Sequence, residues 1–167
     1  MAPLLRDDLF RKLETCIVTS ATLSVGEDFA HFTGRLGLTE VETKQIASPF
    51  NYETQGLVLL PEGLPAPSSP EYVGAVIDVA IPLIEAARGG AFLLFTSHRA
   101  LAQGASLLRS RWGDSPAYEL YVQGDAPREQ LLRRFREDGH GVLLGTASFW
   151  EGVDVKGQAL RLVVIEK

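Results

Sequence analysis

Residues 141–154 read Gly-Val-Leu-Leu-Gly-Thr-Ala-Ser-Phe-Trp-Glu-Gly-Val-Asp. The apolar run Val142-Leu143-Leu144 has the composition of a strand buried on both faces. It stops at Gly145 and gives way to Thr146, Ala147 and Ser148, then Phe149 and Trp150, then the acidic loop Glu151-Gly152-Val153-Asp154. In an open parallel sheet, the loop at a strand's carboxyl end is where ligands sit. Thr146 offers a hydroxyl to a phosphate, and Asp154 offers an acceptor to a sugar hydroxyl or an arginine. Gly152 lets the backbone approach a ligand closely. From spacing alone, an ordinary strand-to-helix turn with a buried Trp150 accounts for the same residues.

The flanking sequence alternates helical and strand signals. On the amino-terminal side, Ala91-Phe92-Leu93-Leu94-Phe95 is the most apolar run, and it leads into Thr96-Ser97-His98-Arg99, where Ser97 is placed to cap a helix reaching Trp112. Within that helix Gly104 costs about 1 kcal/mol relative to alanine. Tyr118–Val122 predicts a strand followed by Gln123-Gly124. A helix follows over Arg128–Glu137, with Leu131, Leu132 and Phe135 inward and Arg133, Arg134 and Arg136 outward. Beyond the focal stretch, Arg161–Ile165 predicts one more strand. Upstream, Val73, Val76, Ile77, Ala80, Ile81 and Ile84 mark a helix over Glu71–Arg88 that contains Pro82, a source of a kink. The amino-terminal part predicts helices over Leu4–Leu13 and Phe29–Leu36 and strands at 15–19 and 57–60. Residues 61–70 hold four of the nine prolines and form a stiff surface connection. The β-α alternation with short loops predicts an α/β fold, a parallel sheet with helices on both faces.

Composition narrows the function. The 167 residues are 46% hydrophobic, enough for a real core, with a net charge of −5 that disfavours nucleic-acid binding by bulk charge alone. A local basic face is compatible with that charge. A single cysteine, Cys16, excludes a disulfide framework or a metal cluster made by this chain alone, and its place in an apolar run predicts a small buried side chain. No apolar run approaches membrane-spanning length, so a cytoplasmic protein is expected. His31 is expected at the surface, and His98 and His140 lack metal-ligand spacing. Trp150 is expected in the core, with stacking on a base as the alternative. For Arg128, Arg133, Arg134 and Arg136, a solvated helix face and a track for a nucleic-acid backbone both fit, because Glu129 and Glu137 are interspersed.

Four segments carry a resemblance. Val18-Thr19-Ser20-Ala21-Thr22-Leu23, Leu94-Phe95-Thr96-Ser97, Val122-Gln123-Gly124 and Leu144–Asp154 resemble, in order, the third, fourth, glutamine and fifth motifs of DinG/XPD-like superfamily 2 DNA helicases. The resemblance implies a RecA-like second motor domain over residues 48–167 and the tail of a first motor domain over 1–47. It implies ATP and Mg2+ between two such domains and single-stranded DNA across both. Carried over by position, Thr96, Ser97, Gln123 and Thr146 face DNA, Glu151, Gly152 and Asp154 face the nucleotide cleft, and Ser20, Ala21 and Thr22 couple the two sites. The chain contains no Gly-x-x-x-x-Gly-Lys-Ser/Thr phosphate loop and no Asp-Glu-x-His motif. The arginine-bearing sixth motif is expected beyond Lys167. The chain is therefore expected to be a helicase fragment, inactive alone. ATP and Mg2+ would be held mainly by the first motor domain, and no iron–sulfur cluster or other metal by this chain. The alternative is a non-catalytic α/β nucleic-acid-binding module.

Overall fold

The computed structural model describes residues 2–114, 116–149 and 153–167. The chain divides into two compact units, 1–58 and 59–167.

The first unit holds α1 (Ala2–Asp8), a 3-10 turn at Phe10–Lys12, α2 (Ala30–Leu36) and α3 (Tyr52–Gln55). Gly37 ends α2 in the left-handed conformation, as its place after Leu36 predicts. No strand forms over 15–19. Ile17 is 83% exposed and Cys16 is exposed, which corrects the buried placement expected for that cysteine. The β-branched composition of the run expresses a tendency to pair, and a strand needs neighbours to complete its hydrogen bonds. Leu57–Leu60 likewise forms no strand, and all four side chains are exposed.

The second unit runs α4 (Tyr72–Ala87), β1 (Ala91–Leu94), α5 (His98–Trp112), β2 (Leu120–Val122), α6 (Arg128–Asp138), β3 (Val142–Gly145) and β4 (Leu162–Ile165). The four strands form one parallel sheet in the order β2-β3-β1-β4. This is the α/β architecture that the alternation predicts, and it is consistent with the RecA-like fold that the resemblance implies.

Period-two alternation assigns the faces. Ala91, Leu93 and Phe95 pack with Val142 and Leu144 against α4 and α5, through Ile77, Ile84, Leu101 and Leu108. Phe92 and Leu94 pack with Leu143 against α6, through Leu131, Leu132 and Phe135, joined by Phe149. Helices thus cover both faces, and every residue of β1 and β3 is buried. Pro82 lies inside α4, which continues through it to Ala87.

Candidate functional site

The strands end level with one another. Leu94 pairs with Gly145 on one side and with Ile165 on the other, and the Gln123 amide donates to the Leu144 carbonyl at 2.9 Å. Just beyond the paired residues, the carboxyl edge of the sheet carries, in strand order, Gln123, Thr146, Thr96 (one residue past the buried Phe95) and Glu166.

These four are tied in pairs. The Thr146 amide and hydroxyl both donate to Gln123 Oε1, at 2.7 and 3.0 Å. The Gln123 side-chain amide donates in turn to Ser148 Oγ at 3.2 Å. The Thr96 amide and hydroxyl both donate to Glu166 Oε2, each at 2.9 Å. Glu166 is only 5% exposed, and a carboxylate so buried needs such donors. Ser97 caps α5, its Oγ accepting from the Ala100 amide at 3.1 Å. That bond uses a lone pair and leaves the Ser97 proton available for donation. Thr96 and Ser97 also line a groove of about 420 Å³ with Pro67, Arg99, Gln103 and Glu166.

The loop after Thr146 is held from α6. Residues Ala147–Phe149 make a 3-10 turn that places Phe149 in the core. A Cβ at Gly145 would lie 2.8 Å from that ring, so the absence of a side chain there admits the turn. Arg128 Nε donates to the Ser148 carbonyl at 3.1 Å, with its guanidinium 5.5 Å above the Phe149 ring. Arg136 donates to the Asp154 carbonyl at 2.9 Å. The Asp154 carboxylate is exposed and lies 4.0 Å from Lys156 Nζ. Two of the four arginines for which a solvated face and a nucleic-acid track both fit, Arg128 and Arg136, thus hold the focal loop, and Arg134 lies 5.4 Å over the Tyr121 ring.

The structure brings Thr96, Ser97, Gln123 and Thr146 to one edge. Ser20, Ala21 and Thr22 belong to the other unit, where Ser20 Oγ accepts from the Thr22 amide at 3.2 Å in a tight local turn. Trp150, Glu151 and Gly152 lie outside the described residues. The sequence reading missed Glu166 and Arg99. A carboxylate directly ending an apolar strand is the signal that points to Glu166. Among the described residues no group of three or more His, Cys, Asp or Glu is placed to hold a metal, and no helix is long and apolar enough to cross a membrane.

A parallel sheet with helices on both faces and a polar carboxyl edge is consistent with a RecA-like α/β domain. Residues 80–167 match the family described as helicase C-terminal domain, and the chain belongs to that family. It is similar to the ATP-dependent DNA helicase YoaA of Escherichia coli K12, 38% identical over 172 residues, which covers 100% of this chain and 26% of that protein. The Haemophilus influenzae YoaA is 40% identical over 151 residues, 90% of this chain and 23% of that protein. The ATP-dependent helicase DinG of Mycobacterium tuberculosis H37Rv is 32% identical over 176 residues, covering 100% of this chain and 25% of that protein. The chain thus spans about a quarter of the length of these curated relatives.

Proposed function

We propose that residues 48–167 form part of the second motor domain of an ATP-dependent DNA helicase, and that residues 1–47 are the tail of the first. The observation that carries this reading is the row of Gln123, Thr146 and Thr96 at the carboxyl ends of three adjacent strands, with Ser97 at the head of α5. The Ser97 hydroxyl, the amino terminus of α5 and the Thr146 donors, held only by a neutral glutamine, suit a phosphate backbone held without reading its sequence, while Thr96 keeps its two donors on Glu166. Single-stranded DNA lies along this edge, with the cationic side chains of Arg99 and Lys167 lining the adjoining groove and Arg128 at the Ser148 carbonyl.

Asp154 serves the nucleotide side, with Glu151 and Gly152 beside it in sequence, and Ser20, Ala21 and Thr22 couple nucleotide state to DNA. Among the described residues no group of three or more His, Cys, Asp or Glu is placed to hold a metal, and the sequence carries no phosphate loop. ATP and Mg2+ therefore belong mainly to a first motor domain acting in cis, and this chain alone hydrolyses no ATP. Without those parts, phosphoryl transfer lacks most of its electrostatic stabilisation.

The test is a pair of substitutions in a protein that contains both motor domains. Thr146→Ala should weaken single-strand binding by about 0.5–1.5 kcal/mol and leave ATP affinity without DNA nearly unchanged. Asp154→Ala should cut ATP turnover while nucleotide-free DNA binding survives. Equal damage to both activities together with a lowered melting temperature would identify the loop as a structural turn and defeat the reading.

A further inference from the structure

We infer that Gln123 is an internal stand-in for a phosphate oxygen on Thr146, and that single-stranded DNA engages this edge by displacing the glutamine carboxamide. This rests on the reading of the carboxyl edge as the DNA face. Thr146 points two donors, its amide and its hydroxyl, at one oxygen of Gln123, at 2.7 and 3.0 Å. Because an amide N–H can only donate, the network fixes Oε1 of Gln123 as the atom facing Thr146. The same two-donor arrangement recurs one strand over, where the amide and hydroxyl of Thr96 hold an oxygen of Glu166 at 2.9 Å each. There the guest is a carboxylate, so the arrangement accommodates an anionic oxygen as well as a neutral one.

The two guests differ in what removal leaves behind. Glu166 is 5% exposed, and pulling it from Thr96 strands a buried charge. Gln123 is neutral and half-buried, follows an edge strand of three residues, and precedes Gly124 at φ +108°. Its carboxamide can leave Thr146 for water without uncovering a charge. The Thr146 hydroxyl carries one proton, which it cannot give to a phosphate while Gln123 holds it. Contact with DNA is therefore an exchange of one acceptor for another, and the glutamine sets how much of the Thr146 hydrogen bonding appears as affinity. Gln123 is a positioning residue in this account.

The experiment titrates a short fluorescent oligothymidylate against this chain, with Gln123→Ala, Gln123→Met, Thr146→Ala and the Gln123→Ala/Thr146→Ala double variant. Removing the competitor should tighten binding about two- to twelvefold in both Gln123 variants, the range that one hydrogen bond's net contribution gives. Thr146→Ala should weaken the parent and should abolish the gain in the Gln123→Ala background. Glutamine variants that bind no tighter than the parent, or a gain that survives Thr146→Ala, would overturn the inference alone. No binding by any variant, the parent included, would overturn the DNA-face reading and the inference with it. In the unmodified chain the side-chain amide resonance of Gln123 should shift on saturation with oligonucleotide, and an unmoved resonance would contradict displacement without recourse to any variant.

Discussion

Gly104 of α5 sits against the ring of Phe95: a Cβ built on the glycine falls 2.6 Å from Cζ and 3.0 Å from Cε1. Phe95 is 1% exposed and packs in the core with residues of β1, α4 and α5, so a displaced ring presses on its core neighbours. The helix-propensity cost of about 1 kcal/mol is thus outweighed by the packing it allows. Gly74 in α4 offers the contrast, with nothing within 4 Å of its Cβ position. Gly74→Ala should leave stability unchanged or raise it by up to about 1 kcal/mol. Gly104→Ala should fall about 1–3 kcal/mol below Gly74→Ala, because overpacking forces the ring or the helix to move. Urea denaturation of both variants checks the difference, and equal midpoints would show that the contact yields at no cost.

The two uses of the Ser97 hydroxyl separate by substitution. Its lone pair caps α5 at 3.1 Å, and its proton is available to a phosphate. Ser97→Ala should cost about 1 kcal/mol of stability and also weaken DNA binding. Ser97→Asp keeps an acceptor at the cap, so stability should hold, while the added negative charge repels the DNA backbone. Thermal melts and anisotropy titrations on the two variants check this. Undiminished DNA binding by Ser97→Asp would confine Ser97 to capping.

Tyr121 gives the fold an alkaline limit. Burial, chiefly, pushes its phenol up to about 12, helped by the Asp138 carboxylate that accepts its hydrogen bond at 3.2 Å. Glu119 acts in the same direction and Arg134 opposes it. A phenol whose folded pKa exceeds its unfolded value of 10.0 favours folding fully below pH 10 and loses that contribution as pH rises from 10 to about 12. The unfolded chain ionises across that window while the folded one resists. Tyr121→Phe should therefore show a shallower loss of stability between pH 10 and 12 than the parent, read by urea midpoints. Parallel profiles would contradict the shift.

Exposed apolar runs outside the sheet should exchange their amides quickly. Residues 15–19 and 57–60 form no strand, whereas β1 and β3 are buried in the sheet's interior. Hydrogen exchange followed by mass spectrometry should reach completion in both runs well before β1 and β3. Equal protection would mean that the two runs are paired.

These same elements mark how far the sequence can be read. β1, β3 and α5 were legible because each carries its own evidence: a continuous apolar run, or a serine placed to cap. Thr15–Thr19 and Leu57–Leu60 carry the same β-forming composition, yet composition states what a segment does when partners are present and supplies no partners. The Gly104–Phe95 contact was invisible because propensity scores a helix alone and the clash lies between elements. The site was half legible. Thr96, Ser97, Gln123 and Thr146 were flagged by resemblance and by their places after strands. Glu166 meets Thr96 across 70 residues of sequence and required the β1–β4 register to be found.

The central claim is that the carboxyl edge of the sheet is the DNA face, and amide NMR of this chain during titration with a short single-stranded oligonucleotide tests it most directly. The account predicts shifts concentrated at Thr96, Ser97, Gln123 and Thr146, as contacts of this edge with a phosphate backbone would give. Shifts confined to the outer arginines Arg133 and Arg134 of α6, with the strand ends unmoved at saturation, would contradict it.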